Sequence, residues 1–101
     1  MNISIIIPTF NRLVILNKIL TNLNRQLENF KNEVIICDSF SNDGTRELFN
    51  GSNKLFKNLD IIYKHNISNN LSAKRNKGIM LSKYNNLILL DDDCIPLENF
   101  V

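Results

Sequence analysis

The sequence has little of what several functional classes require. It contains no tryptophan, two cysteines and three glycines among 101 residues. Gly44, Gly51 and Gly78 are widely separated, so neither the Gly-x-Gly-x-x-Gly dinucleotide motif nor a P-loop is present. Cys37 and Cys94 are too few for a disulfide scaffold and lack metal-ligand spacing. Both are therefore predicted to be buried free thiols.

Long apolar runs and an excess of one charge are also missing. The runs at Ile5–Ile7 and Leu87–Leu90 are far shorter than the roughly 20 residues of a membrane span. The N-terminus lacks the basic and apolar segments of a signal peptide. Twelve basic residues against ten acidic residues give a net charge of +2, which argues against a nucleic-acid partner. A cytoplasmic location is expected.

What is present is an alternation of short apolar runs and amphipathic segments. Strands are predicted at Ile3–Ile7, Glu33–Asp38, Leu59–His65 and Asn86–Leu90. Helices are predicted from Asn11 as cap through Leu27, from about Thr45 to Phe49, and from Ser72 as cap to Ser82. Gly78 lowers the intrinsic stability of the last helix. This order, βαβαβαβ, predicts one α/β domain over residues 1–101, a Rossmann-like and mostly parallel sheet with flanking helices.

Polar residues collect where the predicted strands end. Thr9, Asn11 and Arg12 follow the first strand, Asp38 ends the second, and residues 91–93 follow the fourth. Ligands of open parallel sheets bind at the carboxyl ends of the strands, near the reversal of strand order, so we expect one pocket there. Elsewhere, packing roles are expected for Tyr63 and Phe56, and a structural or exposed position for His65.

Three consecutive aspartates repel one another, by roughly 4 kcal/mol for a pair about 4 Å apart at an effective dielectric near 20. One or two of them could hold Mg²⁺ or Mn²⁺ together with water and phosphate oxygens. A solvated acidic turn is the alternative. Lys74, Arg75 and Lys77 lie where a helix begins and could meet a diphosphate, with Arg75 favoured and Lys77 assigned to an exposed basic face.

Four segments follow one another at characteristic spacing: residues 5–12 (IIIPTFNR), 34–45 (VIICDSFSNDGT), 74–79 (KRNKGI) and 90–93 (LDDD). Together they resemble the donor-binding half of inverting family 2 glycosyltransferases with the GT-A fold. The resemblance covers nearly the whole chain. Two departures stand out: Ser39 follows Asp38 where the family often has a second aspartate, and Lys74 replaces a small residue.

The resemblance implies roles for individual residues. Its nucleotide-binding positions correspond to Pro8, Thr9, Asn11, Arg12, Asp38, Arg75, Asp91 and Asp92, and its metal-binding positions to Asp91 and Asp93. Asp38 would hydrogen-bond the base or ribose, and Asp93 is the first choice as direct metal ligand. The catalytic base is expected beyond Val101, because Glu98 does not match it.

The implied function is metal-dependent transfer of a sugar, with inversion, from a nucleotide-diphosphate sugar to an acceptor hydroxyl. A UDP-sugar is the expected donor, and a saccharide or lipid-linked molecule is the expected acceptor. The full-length enzyme is expected in the cytoplasm or at the inner face of the membrane. The chain alone is expected to bind nucleotide weakly, to transfer no sugar and to self-associate through an exposed sheet edge. The alternatives are a nucleotidyltransferase, which usually has a Gly-rich loop after its first strand, and a non-catalytic nucleotide-binding, metal-binding or assembly module.

Overall fold

The computed structural model describes residues 2–49 and 56–92, and within them the predicted order of strands and helices is confirmed. The strands are β1 (Asn2–Thr9), β2 (Lys31–Asp38), β3 (Ile61–Lys64) and β4 (Leu87–Leu89). The helices are α1 (Leu13–Gln26), α2 (Thr45–Phe49) and α3 (Leu71–Leu81). Asp93, Cys94 and Glu98 lie outside the described residues, so the predictions that concern them stay predictions.

All four strands pair in parallel, in the order β3-β2-β1-β4. β1 and β2 pair from Asn2 opposite Lys31 to Thr9 opposite Asp38. The chain first builds outward from β1 through β2 to β3, and then crosses to β4 on the other side of β1. Strand order therefore reverses at β1, which is where open parallel sheets bind ligands. The carboxyl ends of β1, β2 and β4 are adjacent, as predicted.

Both faces of the central strands β1 and β2 are covered, which explains why each of them contains a continuous apolar run. On one face Ile5 and Ile7 pack with Leu16 and Leu20 of α1. On the other face Ile6 packs in a smaller cluster that includes Leu81 of α3. Because successive side chains of a strand point to opposite faces, a sheet buried on both sides needs apolar residues at consecutive positions.

Cys37 lies in the smaller cluster, on the α3 side of the sheet, and is a buried free thiol as predicted. Burial raises the pKa of this thiol to about 11, although the positive charges of Lys77 and Lys74 oppose the shift. The thiol is therefore protonated at neutral pH and is a packing group rather than a nucleophile.

Helix α3 crosses β1 so closely that residue 78 has no room for a side chain. A Cβ atom at Gly78 would lie 2.3 Å from Cγ2 of Ile6, a side chain that is fully buried. Glycine lowers helix stability, yet here it permits the contact between α3 and the sheet. The close approach fixes the position of the first turn of α3 relative to the end of β1.

The predicted cap of α1 is wrong. The N-cap position is Arg12, which makes no side-chain capping hydrogen bond. Asn11 has a positive φ of 51°, and its amide oxygen instead accepts a hydrogen bond from Asn42 N. The first-turn donor Leu13 N is satisfied at 2.9 Å by Asp43 Oδ2, from the loop after β2. A tertiary contact thus replaces the local cap that sequence favours.

The predicted cap of α3 is also wrong, by two residues. Asn70 occupies the N-cap position, and its side-chain oxygen accepts a hydrogen bond from Ala73 N at 3.1 Å. The helix therefore begins at Leu71, before Ser72. Asparagine and serine are comparable caps, so local preference did not distinguish them.

Strand β4 lies at one edge of the sheet and carries Leu87 and Leu89, both more than 40% exposed. Self-association through this edge stays a prediction. Among residues 2–49 and 56–92, the helices are all too short or too polar to cross a membrane.

Candidate functional site

The ends of β1 and β2 place Thr9 and Asp38 side by side, since they form the last pair of the β1–β2 register. Both residues are almost completely buried. The Asp38 carboxylate accepts hydrogen bonds from the hydroxyls of Ser41 and Tyr63, one on each oxygen. Its backbone carbonyl also accepts from Ile67 N at 3.0 Å. The carboxylate is thus held in one orientation at the carboxyl end of the sheet.

Tyr63 has a role that the sequence did not indicate. Its ring packs as predicted, with centroids 5.7 Å from Phe49 and 5.8 Å from His65. Its hydroxyl, however, donates to Asp38. Burial, followed by this hydrogen bond and the negative charge of Asp38, raises the pKa of Tyr63 above its ordinary value. Tyr63 is therefore a neutral donor that orients the carboxylate, a function visible only once β3 is placed beside β2.

The acidic segment after β4 reaches the same point. Leu90 N donates to the carbonyl of Ile6 at 2.9 Å and carries the pairing past the end of β4. Asp92 Oδ2 then accepts from the Thr9 hydroxyl at 2.9 Å and from Phe10 N at 3.4 Å. The predicted convergence of three strand ends is confirmed for Thr9, Asp38 and Asp92. These three residues, with Lys74, Arg75 and Asp91, are called the strand-end site below.

Arg75 and Asp91 form the solvent-facing side of the strand-end site. Arg75 Nη2 donates to Asp91 Oδ1 at 2.8 Å, with 35% and 51% of the two side chains exposed. Exposed ion pairs stabilise by only about 0–1 kcal/mol. A stronger anionic partner can therefore replace Asp91 on the guanidinium at little cost.

Lys74 turns inward, unlike a lysine that would meet a ligand from the surface. It is only 6% exposed, and its ammonium donates to the carbonyl of Thr9 at 3.3 Å and to Asn69 Oδ1 at 3.0 Å. Burial lowers the pKa of Lys74, while the charges of Asp92 and Asp38 oppose the shift. Lys77, by contrast, is exposed, as predicted.

The loops after β1 and β2 are joined by hydrogen bonds. Asn11 N donates to Ser41 Oγ at 2.8 Å, and Asn42 N returns a bond of 2.8 Å to Asn11 Oδ1. Arg12 is exposed, and its side chain makes no hydrogen bond or ion pair within residues 2–49 and 56–92. Pro8 is buried at the end of β1. Asn11 therefore shapes the loop, and Arg12 has a side chain available for a ligand.

Asp43 stabilises the same loop, and Asp43→Ala is expected to lower the free energy of unfolding by about 1–2 kcal/mol. Its carboxylate accepts from Leu13 N, from Thr45 N and from the Thr45 hydroxyl at 2.6 Å. Urea unfolding at pH 7 measures the loss. Asn42→Ala is the matched control, since only the backbone of Asn42 bonds to the neighbouring loop.

The loss caused by Asp43→Ala should become smaller in acid. Burial favours a higher pKa for Asp43, but the hydrogen bonds from Thr45 and Leu13 outweigh it, and the pKa falls below 3.8. A lowered folded-state pKa gives stabilisation that is complete above the unfolded value and is lost as the pH falls through the folded one. The gap between the unfolding energies of Asp43→Ala and wild type should therefore narrow as the pH falls below 3.8, and a constant gap would contradict this account.

The described carboxylates suit a metal site that is completed by water and substrate phosphate better than one made of protein ligands alone. Mg²⁺ and Mn²⁺ take oxygen ligands, and Mg²⁺ is often held by one or two carboxylates with water and substrate phosphate. Asp91 uses Oδ1 for Arg75, and Asp92 uses Oδ2 for Thr9, which leaves the second oxygen of each for a ligand. Within the described ranges, no three His, Cys, Asp or Glu residues cluster closely enough to hold an ion. The donor chemistry fits a divalent ion completed by a diphosphate.

Two curated relatives resemble the chain over almost its whole length. Chondroitin synthase of Pasteurella multocida (strain Pm70) is 38% identical over 102 residues, which cover 98% of this chain and 10% of that protein. Glycosyltransferase AglE of Haloferax volcanii is 32% identical over 100 residues, 98% of this chain and 33% of that protein. The chain thus spans between a tenth and a third of the length of these relatives.

The fold also matches solved structures of S. aureus TarS. The crystal structure of TarS 1–349 superposes with a TM-score of 0.75 at 22% identity, covering 92% of this chain and 28% of that chain. TarS 1–349 in complex with UDP gives a TM-score of 0.73. This likeness confirms the expected α/β architecture of the first part of a GT-A fold. The family model described as "Glycosyl transferase family 2" matches residues 4–101, and the chain therefore belongs to glycosyltransferase family 2.

Proposed function

We propose that the chain is the donor-binding part of a metal-dependent, inverting glycosyltransferase that uses a UDP-sugar. The observation that carries the proposal is the meeting of Thr9, Asp38 and Asp92 at the carboxyl ends of β1, β2 and β4, where Thr9 is opposite Asp38 in the register and donates a hydrogen bond to Asp92. Such a meeting point lies where a parallel sheet binds its ligand, and the chain belongs to a family of glycosyltransferases. UDP is the favoured nucleotide because TarS, a structural neighbour, was solved with UDP.

Thr9 and Asp38 contact the nucleoside in this proposal. An ionised carboxylate has about four lone-pair positions, and Ser41 and Tyr63 use one on each oxygen of Asp38. Asp38 can therefore still accept a hydrogen bond from the imide N–H of uracil or from a ribose hydroxyl. Arg12, with its exposed side chain, lies in the loop that follows Thr9 and supplies a cation next to the nucleotide.

The diphosphate is bound at the solvent-facing side of the strand-end site. Arg75 leaves its exposed ion pair with Asp91 and binds phosphate oxygens instead. A guanidinium can donate two parallel hydrogen bonds to such oxygens. Asp91 and Asp93 would then hold a divalent cation, while Asp92 stays hydrogen-bonded to the Thr9 hydroxyl. A bound Mg²⁺ or Mn²⁺ would supply positive charge to the leaving diphosphate.

In the proposed reaction an acceptor hydroxyl attacks the anomeric carbon from the side opposite the diphosphate. The new C–O bond forms as the bond to the diphosphate oxygen breaks, and the configuration inverts. A carboxylate base takes the hydroxyl proton, and we assign that base to no described residue. The acceptor is a saccharide or a lipid-linked molecule, and the reaction is placed in the cytoplasm. The 101-residue chain alone is proposed to transfer no sugar.

Titration calorimetry of UDP with the purified chain tests this function. We expect UDP to bind at least about tenfold more tightly with Mn²⁺ than with EDTA, since coupled ligands shift each other's affinity. Asp91→Asn should remove most of this enhancement, because Asp91 is a proposed metal ligand among the described residues. Asp60→Asn is the control, because Asp60 precedes β3 at the opposite end of the sheet and its carboxylate forms an exposed ion pair with Lys83.

Three results would each contradict a part of the proposal. Equal UDP affinity in Mn²⁺ and EDTA would remove the metal dependence, and no UDP binding at all would remove the donor site. Sugar transfer by the 101-residue chain would show that the base lies within it.

A further inference from the structure

Lys74 is a buried cation next to the strand-end site. Its ammonium has two hydrogen-bond acceptors, the carbonyl of Thr9 and the side chain of Asn69, and both are neutral. No carboxylate in the described ranges lies within ion-pair distance of it. Burying a charge against neutral acceptors alone is unfavourable. A buried lysine in this position therefore calls for a compensating negative charge further away.

The compensating charges are the carboxylates of Asp92 and Asp38. Burial lowers the pKa of Lys74, and the attraction of these carboxylates for the ammonium opposes that shift. Thr9 links Lys74 to Asp92 through two hydrogen bonds. Its carbonyl accepts from Lys74, while its hydroxyl donates to Asp92 at 2.9 Å. Asp38 is opposite Thr9 in the β1–β2 register. The positive charge of Lys74 thus lies next to the point where the ends of β1, β2 and β4 meet.

The fold fixes this charge in place. Lys74 and Gly78 are four residues apart in α3, so they lie on the same face of the helix. Gly78 allows that face to touch Ile6 in the middle of β1, and Lys74 then reaches Thr9 at the end of the same strand. The side chain is held by packing and by two hydrogen bonds, unlike the exposed Lys77.

We propose that Lys74 determines ligand preference at the donor site, because its fixed ammonium favours the diphosphate of the nucleotide and disfavours a divalent cation that arrives without it. This inference rests on the proposed function. The same charge attracts an anion and repels a cation, so its two effects have opposite signs. Metal and nucleotide should consequently bind together, with little metal bound to the free protein.

A purely structural role for Lys74 predicts something different. If the side chain only supported the loop at Thr9, its removal would weaken nucleotide and metal binding together or would change neither. Changes of opposite sign in nucleotide affinity and metal affinity therefore distinguish an electrostatic role of Lys74 from support of the loop.

Lys74→Met tests the inference in the purified chain. Calorimetry should show UDP binding in EDTA weakened about five- to tenfold, and electron paramagnetic resonance should show Mn²⁺ binding without UDP tightened about three- to tenfold. Lys77→Met is the matched control, since it removes the same charge from an exposed position of the same helix. It should change either affinity by less than about twofold, because solvent and salt screen exposed charges. Lys74→Arg, which keeps the charge, should resemble wild type.

Several outcomes overturn the inference. Affinities that move in the same direction in Lys74→Met, or that both stay unchanged, exclude selection by charge. If Lys74→Met does not fold by circular dichroism, Lys74→Gln removes the charge while keeping a hydrogen-bond donor, and the same outcomes apply. Metal-coupled UDP binding in wild type with no opposed shift in the variant refutes only this inference. Absence of UDP binding in wild type refutes the proposed function and this inference with it.

Discussion

Asp38→Asn is expected to weaken UDP binding roughly 30- to 100-fold, the loss typical of removing a buried charged hydrogen-bond partner. The substitution keeps the shape of the side chain but replaces one acceptor oxygen by an amide donor. Asp38 is fully buried and is fixed by Ser41 and Tyr63, so no neighbouring water can take over its role easily. Calorimetry with UDP and Mn²⁺ measures the change.

Asp60→Asn controls for the loss of one negative charge, and it should bind UDP as wild type does. Thermal unfolding must accompany the measurement, because Ser41 and Tyr63 lose a charged acceptor in Asp38→Asn. A folded Asp38→Asn protein that binds UDP within threefold of wild type would show that the nucleoside lies elsewhere.

Gly78→Ala is expected to lower the free energy of unfolding by about 2–3 kcal/mol, as overpacking of a buried contact does. On an exposed helix surface the same change would stabilise by about 1 kcal/mol, so the sign of the effect is itself informative. The difference arises because the new Cβ would lie 2.3 Å from Ile6 Cγ2. Urea denaturation gives the value directly.

Two further variants define the cause of that loss. Ser72→Ala lies on the exposed side of α3 and is expected to change stability by less than about 0.5 kcal/mol, since Asn70 is the cap. Ile6→Ala combined with Gly78→Ala should cost less than the sum of the single changes, because the shorter side chain removes the clash. A neutral or stabilising Gly78→Ala would contradict the close approach of α3 to β1.

The strands and their order along the chain could be predicted because burial on both faces leaves a strong local pattern. Ile5, Ile6 and Ile7 are apolar in succession for that reason. The cap of α1 was wrong because its first-turn donor is satisfied by a contact that sequence proximity does not reveal, whereas the cap of α3 was wrong because Asn70 and Ser72 are comparable local caps. Asp43 is 30 residues away from Leu13, and its carboxylate accepts a hydrogen bond from the Leu13 backbone amide.

The strand-end site was predictable in outline and not in detail. Thr9, Asp38 and Asp92 follow from one rule, that ligands of a parallel sheet bind at the carboxyl ends of its strands. The Tyr63 hydroxyl is brought to Asp38 by the placement of β3, and the inward course of Lys74 depends on how closely α3 packs on β1. Such distances between elements are properties of the packed molecule and leave no periodic signal in the sequence.

Backbone amide NMR of the ¹⁵N-labelled chain, titrated with UDP and Mg²⁺, tests the central claim most directly. The account predicts that the largest shift changes fall at residues 9–12, 38–41, 74–75 and 91–92, at the carboxyl end of the sheet. Residues at the amino end, such as Ser4, Glu33 and Lys83, should hardly change. The largest changes at that amino end, or none anywhere with saturating ligand, would contradict the account.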